Sequence, residues 1–298
     1  MLQTVNHPLV SIVTVNYNQS IITLDMLASL RRISYSNIEI IVVDNASPND
    51  SPDELKEQYP EIKLIKSEVN LGFAGGNNLG LQVATGAYIF FINNDTLVPE
   101  NCLEPLVATL QQHPEVGMVS PKIKFFEAGN PVQYAGFTKL NPWTMRNRCI
   151  GYAQPDDGSF DTPGYTSAMH GAAMMISRTT LEKVGNMAEC YFLYYEELDW
   201  AARIQRAGYK LYYQPKSYIL HKESVSTGEN SPLKTHYLAR NRMLYIRRNI
   251  TGIHYWVGMV YQLTIAMPKN LIQYLRYGQF SHIKAYLSGV AWNFNHKS

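Results

Sequence analysis

Residues 87–95 read Ala87-Tyr88-Ile89-Phe90-Phe91-Ile92-Asn93-Asn94-Asp95. The unbroken apolar run from Tyr88 to Ile92 predicts a strand covered on both faces of a sheet, since a half-exposed strand would alternate with polar residues. The run stops abruptly at two amides and a carboxylate. An unpaired carboxylate is costly to bury, so Asp95 is expected where the strand leaves the sheet and meets solvent or a cation. In open α/β sheets that place, the carboxyl end of the parallel strands, is where ligands bind. A hard divalent cation carrying a diphosphate would suit such a group.

Outward from this strand, strands alternate with helices. Residues 10–15, 38–43 and 62–65 predict strands. Helices are expected over 21–32, from the Ser51-Pro52 start to Tyr59, and from the end of a Gly-rich turn at 70–76 to Thr85. Four strands alternating with helices in about 90 residues is the pattern of a doubly wound, mainly parallel sheet. Beyond it come a helix over 99–112 and a strand over 116–119. Residues 127–165 are rich in Gly, Pro, Asn and Asp and read as a long irregular excursion over the sheet. A strand is expected over 169–177, helices over 179–184 and 196–207, and strands over 210–213 and 217–220, the last ending at His221. From Pro232 onward the pattern is helical.

The composition, 46% hydrophobic and 17% charged over 298 residues, is that of an ordered globular chain. Cys102, Cys149 and Cys190 are odd in number and lack C-x-x-C spacing, which speaks against a disulfide framework or zinc site and for a reducing compartment. The N-terminus lacks the basic and apolar regions of a signal peptide. The net charge of +2 hides an asymmetry. From Asn230 to Ser298 there are nine Lys/Arg and no acid, which leaves 17 Lys/Arg against 24 Asp/Glu before it, a net of −7. A basic, aromatic-rich tail on an acidic body suggests an anionic surface as its partner. Its apolar stretch, Ile253 to Met267, is shorter than the ~20 residues of a membrane-spanning helix. Trp256, Tyr255, Tyr261, Tyr274 and Tyr277, among Lys269, Arg276 and Lys284, suit an interfacial segment. Packing on the body, or dimerisation, is the alternative.

Four stretches carry chemistry. Asn16-Tyr17-Asn18 and Asp44-Asn45-Ala46-Ser47 end the first two strands on one edge, as a nucleobase and ribose require, although an Asx turn would explain Asp44 and Asn45 equally well. Asn70-Leu-Gly72-Phe-Ala-Gly75-Gly76-Asn77-Asn78 is Gly-rich and opens a helix, where free N–H groups attract phosphate, yet it is neither G-x-G-x-x-G nor a Walker A loop. Tyr194-Tyr-Glu196-Glu197-Leu-Asp199-Trp200 sets three carboxylates beside aromatic rings, a setting that raises carboxylate pKa values and makes general bases. Glu196, Asp199 and Arg203 fall on helical spacings of three and four, so one carboxylate is expected to pair with Arg203 and at least one to be structural. His221 ends a strand and could complete a metal site with Asp95, although a lone histidine is usually structural.

Taken in order, these stretches resemble family-2 glycosyltransferases with the GT-A fold, within the bacterial rhamnosyltransferase-like branch. The residues carrying the resemblance are Val-Ser-Ile-Val-Thr-Val-Asn-Tyr-Asn at 10–18, Val-Asp-Asn-Ala-Ser at 43–47 and Asn70-x-Gly-Phe-Ala-Gly-Gly-Asn-Asn. Asn93-Asn-Asp95, His170-Gly-Ala172, Tyr194-x-Glu-Glu-x-Asp199 and His221 complete it. The match runs from about Val10 to Asn249. It implies a catalytic domain over 1–230, with a nucleotide-sugar half to about residue 125 and an acceptor half over about 126–230, followed by a basic helical extension over 231–298. Thr14, Asn16, Asp44 and Asn45 would hold the base and ribose, and Asn70 with Gly75 would line the donor pocket. Asn93-Asn94-Asp95 resembles the family's D-x-D element, with Asp95 and His221 as metal ligands and an amide in place of the first carboxylate. Arg240 and Asn241 look like residues near the diphosphate, and His170 and Gly171 would face the acceptor. Glu197 takes the place of the family's catalytic Asp, with Glu196 and Asp199 as alternatives.

The resemblance implies an inverting, metal-dependent glycosyl transfer using Mg2+ or Mn2+. The implied donor is dTDP-rhamnose or a UDP- or GDP-hexose, and the implied acceptor a saccharide or lipid-linked saccharide of surface polysaccharide. Nucleic acid is not an expected partner. The expected location is cytoplasmic, peripheral on the inner face of the plasma membrane. Two rival readings are a sugar nucleotidyltransferase, which would need a Gly-rich basic loop where Asn16-Tyr17-Asn18-Gln19 stands, and a sugar-nucleotide-binding protein that lost catalysis.

Overall fold

In the computed structural model, which describes residues 7–222 and 231–296, the alternation builds one ten-stranded sheet. Its first half runs β1 (Val10–Asn16), α1 (Ser20–Leu30), β2 (Ile38–Asp44), α2 (Asp53–Gln58), β3 (Lys63–Lys66), α3 (Gly72–Leu81) and β4 (Tyr88–Ile92). Next come β5 (Thr96–Leu97), α4 (Leu103–Gln112), β6 (Val116–Phe125), β7 (Val132–Tyr134), β8 (Gly164–Thr166) and β9 (Ala173–Ser177). Then follow α5 (Arg178–Val184), a 3-10 turn (Glu189–Tyr191), α6 (Glu196–Arg206) and β10 (Lys210–His221). The strand order is β3-β2-β1-β4-β9-β6-β10-β5, with β7 beside β6 and β8 beside β10. β3, β2, β1 and β4 are parallel, and so are β6 and β10; β9 runs antiparallel between β4 and β6.

The apolar run that opened the reading is buried as expected, and the reason is visible in the packing. Phe90 belongs to a core beneath α1, α2 and α4, with Met26, Leu27, Leu55 and Leu106. Ile89 and Phe91 belong to a second core on the other face, with Ala74, Leu81, Trp200 and Ile204 of α3 and α6. The Trp200 ring meets Phe91 edge-on, centroids 5.5 Å apart.

Several boundaries differ from the sequence reading. The Gly-rich stretch is not a turn before a helix but the helix itself, α3, which ends at Leu81 rather than Thr85. Its glycines let it lie directly on the sheet: a Cβ on Gly80 would fall 2.6 Å from a Val13 methyl and 3.0 Å from one of Val43. The two strands expected over 210–220 are one, β10, with a register break between Gln214 and Tyr218. α4 begins at Leu103, β9 begins at Ala173, and β6 runs on to Phe125. The excursion over 127–165 does return to the sheet at β7, where Val132, Gln133 and Tyr134 are buried.

The tail is helical, as read: α7 (Pro232–Asn249), α8 (Gly252–Tyr261), a π-helical turn (Gln262–Ala266), α9 (Met267–Arg276) and α10 (Phe280–Asn295). The boundary expected between residues 230 and 231 adjoins 223–230, which lie outside the described residues. α7 packs on the body through Leu244 and Tyr245 against Tyr191, and on α10 through Ala239 and Met243 against Tyr286 and Val290. Among the described residues, no helix is long and apolar enough to cross a membrane.

One joint between tail and body positions the site. The segment leading into α6 turns through three left-handed residues that are not glycine, Phe192 (φ 64°), Tyr194 (φ 67°) and Tyr195 (φ 78°). Such conformations each cost about 1–3 kcal/mol and persist only where the surroundings enforce them. Here one amide does most of the enforcing. Asn241 Nδ2 donates to the carbonyl oxygens of Tyr191, Leu193 and Tyr194 at 2.9, 2.7 and 2.8 Å. Arg240 Nη2 adds bonds to the carbonyls of Cys190 and Tyr191. Gly72 admits the loop from the other side, since a Cβ there would fall 2.2 Å from the Phe192 oxygen. Asn241→Leu removes the donor that all three carbonyls share, so it should cost about 2–4 kcal/mol. In a thermal melt we expect a drop of about 5–12 °C; an unchanged melting temperature would mean the loop holds itself.

Candidate active site

The carboxyl ends of β1, β2, β4 and β10 and the start of β9 gather on one edge of the sheet, as the register of the strands requires. A cavity of about 440 Å³ opens there. Of the residues singled out in the sequence, Asn45, Asn70, Asn93, Asn94, Asp95, His170, Gly171, Glu196, Glu197 and His221 line it. Thr14, Asn16, Asp44, Gly75, Asp199 and Arg240 do not.

Each of these outliers has a structural occupation. Asn16 Nδ2 donates to Asp44 Oδ1 (3.0 Å), and Asn16 Oδ1 accepts from Thr23 Oγ1, which in turn accepts from Asn94 Nδ2. That buried chain fixes the ends of three strands relative to one another. Thr14 is fully buried in β1. Gly75 faces Leu71 across the first turn of α3. Arg240, expected near a diphosphate, is instead buried between the rings of Tyr237 and Trp292, where it braces the loop before α6. Asn45 holds the entrance to α3: its Nδ2 donates to Asn70 Oδ1 (3.0 Å), and its Oδ1 accepts from Leu71 N (2.9 Å).

Asp95 and His221 face each other at 3.1 Å, Oδ1 to Nε2. Despite that distance Asp95 Oδ1 is buried without a hydrogen-bond partner. The other ring nitrogen, His221 Nδ1, lies 2.8 Å from Gln133 Oε1. In the tautomer that lets Nδ1 donate to this oxygen, Nε2 turns a lone pair toward the carboxylate. Two acceptors in contact in a buried place call for a cation between or beside them, and an imidazole oriented through its other nitrogen is the usual arrangement of a metal-binding histidine. Asn93 Nδ2 is 3.5 Å from the same nitrogen. Among the described residues no cluster of three or more His, Cys, Asp or Glu is set to hold a metal. Two protein ligands with the rest supplied by substrate phosphate and water is nonetheless a normal Mg2+ site.

The three carboxylates at the start of α6 divide sharply. Asp199 is buried and bonded to Tyr191, Arg203, Arg248 and Asn249. Burial alone would raise its carboxyl, but Asn249 and the two guanidinium groups together hold it below the usual carboxylate range. Asp199 is thus the carboxylate that pairs with Arg203, a structural member that does not line the cavity. Glu196 and Glu197 each keep a buried Oε2 without a partner. Burial, and then the neighbouring Glu197, pushes the Glu196 carboxyl well above the ordinary range. Burial pushes Glu197 up to about 7. His170, on the cavity wall beside His221 (ring centroids 6.1 Å), is held neutral by burial, its pKa lowered to about 3.

Lys234 and Leu233, in the first turn of α7, also line the cavity. Sequence reasoning missed both, although Ser231-Pro232 announces a helix N-terminus and a lysine in that turn is a legible cation. It missed Gln133 as well, which sits in the excursion where no periodicity marks it. Tyr17, Phe73, Phe137, Met169 and Phe192 complete an aromatic and apolar wall.

Comparison with known proteins bears on the family and the fold. The sequence model of Glycosyl transferase family 2 matches residues 11–184. The chain is 24% identical over 247 residues to an N-acetylglucosaminyl-diphospho-decaprenol L-rhamnosyltransferase of Mycobacterium tuberculosis, covering 74% of this chain and 77% of the relative. It is 28% identical over 202 residues to a low-salt glycan biosynthesis hexosyltransferase of Haloferax volcanii, covering 66% and 61%. Among solved structures it resembles GalNAc-T7 with UDP, GalNAc and Mn2+, with a TM-score of 0.63, 17% identity, and 86% of this chain on 55% of that one. It also resembles a mannosyltransferase of Pyrobaculum calidifontis in complex with GDP-Man and Mn2+, with a TM-score of 0.60, 17% identity, and coverage of 96% and 87%. These likenesses establish the GT-A fold. The family match spans more than half of the chain and includes the β1, β2, β4 and β9 edge of the cavity, so the chain belongs to glycosyl transferase family 2.

Proposed function

We propose that this glycosyltransferase moves a sugar from a nucleoside-diphosphate donor to a hydroxyl of a saccharide acceptor with inversion at the anomeric carbon. The observation carrying this reading is that one cavity holds both the facing Asp95–His221 pair, with Asp95 Oδ1 unpartnered, and, from the start of α6, a carboxylate pushed by burial up to about 7. Asn45 and Asn70 stand where the nucleoside end of a donor would lie, beside Tyr17. Asp95 and His221 would hold a divalent cation, Mg2+ or Mn2+; the two solved relatives named above contain Mn2+. When bound, such a cation offsets the charge that builds on the departing diphosphate.

The chain's own groups do the rest. Lys234 places a positive charge in the cavity, taking the part that the sequence had suggested for Arg240. Glu197, deprotonated above pH 7, removes the proton from the acceptor hydroxyl as its oxygen attacks the anomeric carbon from the face opposite the diphosphate. Burial and the neighbouring Glu197 both oppose ionisation of Glu196, which disfavours it as the base. The apolar wall of Phe73, Phe137, Met169 and Phe192 excludes water and so protects the donor from hydrolysis. Rhamnose is the proposed sugar and a lipid-linked saccharide the proposed acceptor, because the mycobacterial relative is named for both.

Three measurements test this reading. Glu197→Gln should lower kcat by about 10²–10⁴-fold and leave nucleotide affinity nearly unchanged. Full activity in that variant, with Asp199→Asn inactive yet folded, would contradict the assignment of the base. The rate should rise as the pH rises through about 7, because a base works only once its proton is gone and burial delays that loss in Glu197; a limb at the ordinary Glu value of about 4.3 would contradict it. Titration of nucleoside diphosphate should show binding strengthened by Mn2+ in the native chain and much less so in Asp95→Asn, while Lys234→Ala weakens it in both presence and absence of metal. Nucleotide binding indifferent to EDTA would remove the cation from the account.

A further inference from the structure

Along α8, Ile253, Trp256 and Val260 are exposed, Trp256 by 67%, at spacings of three and four that put them on one helix face. The π-helical turn at Gln262–Ala266 then takes up one extra residue. Ile265, five positions after Val260, therefore continues the face that an uninterrupted α-helix would carry at 264. Ile272 and Leu275 extend it along α9. From Gly252 to Arg276 this makes a ridge about 37 Å long. The opposite side, with Met259, Leu263, Met267, Leu271 and Tyr274, packs against the buried residues of α7 and α10. So the helices are docked on the protein and still keep an apolar ridge outside. α10 repeats the pattern, with Phe280, Leu287 and Phe294 exposed at seven-residue intervals.

The charges beside this ridge select its partner. Lys269, Arg276 and Lys284 are exposed, and no Asp or Glu occurs from 231 to the end of the sequence. A second copy placed face to face would bring these cations onto their own kind with no acid of the segment to meet them. An anionic surface neutralises them and draws basic residues close to it. We infer that the ridge of α8 and α9 lies in the headgroup region of an anionic lipid bilayer, parallel to its plane, with Trp256 at the interface. This goes beyond the catalytic reading and does not depend on it.

The test is co-sedimentation of the full chain at physiological salt with vesicles of phosphatidylcholine alone or enriched in phosphatidylglycerol, alongside tryptophan fluorescence of the native chain and of Trp256→Phe, the difference between which reports Trp256. Binding is expected to the phosphatidylglycerol vesicles, with a blue shift of the emission, and far less to phosphatidylcholine. The triple variant Trp256→Ser, Ile272→Ser, Leu275→Ser should bind at least about tenfold more weakly. Lys269→Glu, Arg276→Glu, Lys284→Glu, which leaves the apolar ridge intact, should do the same. Both should hydrolyse soluble donor at the native rate, so a failure of membrane binding can be told from a failure of the catalytic reading. Native binding to neither vesicle, or a dimer seen by light scattering that the serine variant dissolves, would overturn the inference.

Discussion

A carboxylate oxygen buried without a donor costs several kcal/mol unless a cation joins it, and the edge of this sheet is arranged around one such oxygen. Asp95 stands three residues past the end of β4, where the apolar run that fixes the strand in two cores gives way to polar groups. It cannot retreat, because its backbone carbonyl accepts from Lys222 N and the adjoining Thr96 pairs with His221 across the sheet. The same pairing brings the imidazole to the carboxylate. Gln133 then takes the far side of the ring, which leaves the near nitrogen facing Asp95. The strand that fixes the fold thus also fixes where positive charge is needed.

The facing wall of the cavity rests on a different physical device. Its two glutamates are aimed by a loop that three non-glycine residues enter in left-handed conformation, and those conformations are held by groups from elements distant in sequence. α3 contributes Gly72, whose missing side chain admits the Phe192 carbonyl, and Phe73 N, which donates to it at 2.7 Å. α7 contributes Asn241. The first of these elements lies between β3 and β4 and the second opens the tail, so the two glutamates are positioned by both. The tail therefore helps build the candidate site as well as being a candidate membrane contact.

Much of this was legible in the sequence wherever one residue type in one local pattern decides the outcome. The apolar runs at 10–15, 38–43 and 88–92 permit little but buried strands, and the edge they define follows from their being parallel. The helical spacing of Glu196, Asp199 and Arg203 announced that one carboxylate would pair with the arginine, without saying which. The resemblance to family 2 brought Asp95, His221, Glu196 and Glu197 together, and they do line one cavity. What stayed hidden depends on side chains meeting over long separations. Nothing local tells that the glycines of 72–80 serve packing on the sheet rather than a phosphate turn, because both uses look alike in sequence. Nothing local separates Arg240, which turns inward between two rings, from Lys234, which faces the cavity from the same helix. Gln133 is unmarked because its strand is three residues long and lies in an excursion without periodicity.

The central claim is that Asp95 and His221 hold a cation against a diphosphate. Crystals of the protein grown with Mn2+ and a nucleoside diphosphate, with diffraction recorded at the manganese absorption edge, would test it most directly. The account requires an anomalous peak in contact with Asp95 Oδ1 and His221 Nε2 and bridged to phosphate oxygens. A bound nucleotide with its diphosphate on protein groups alone and no peak at that pair, or a peak held by other residues, would contradict it.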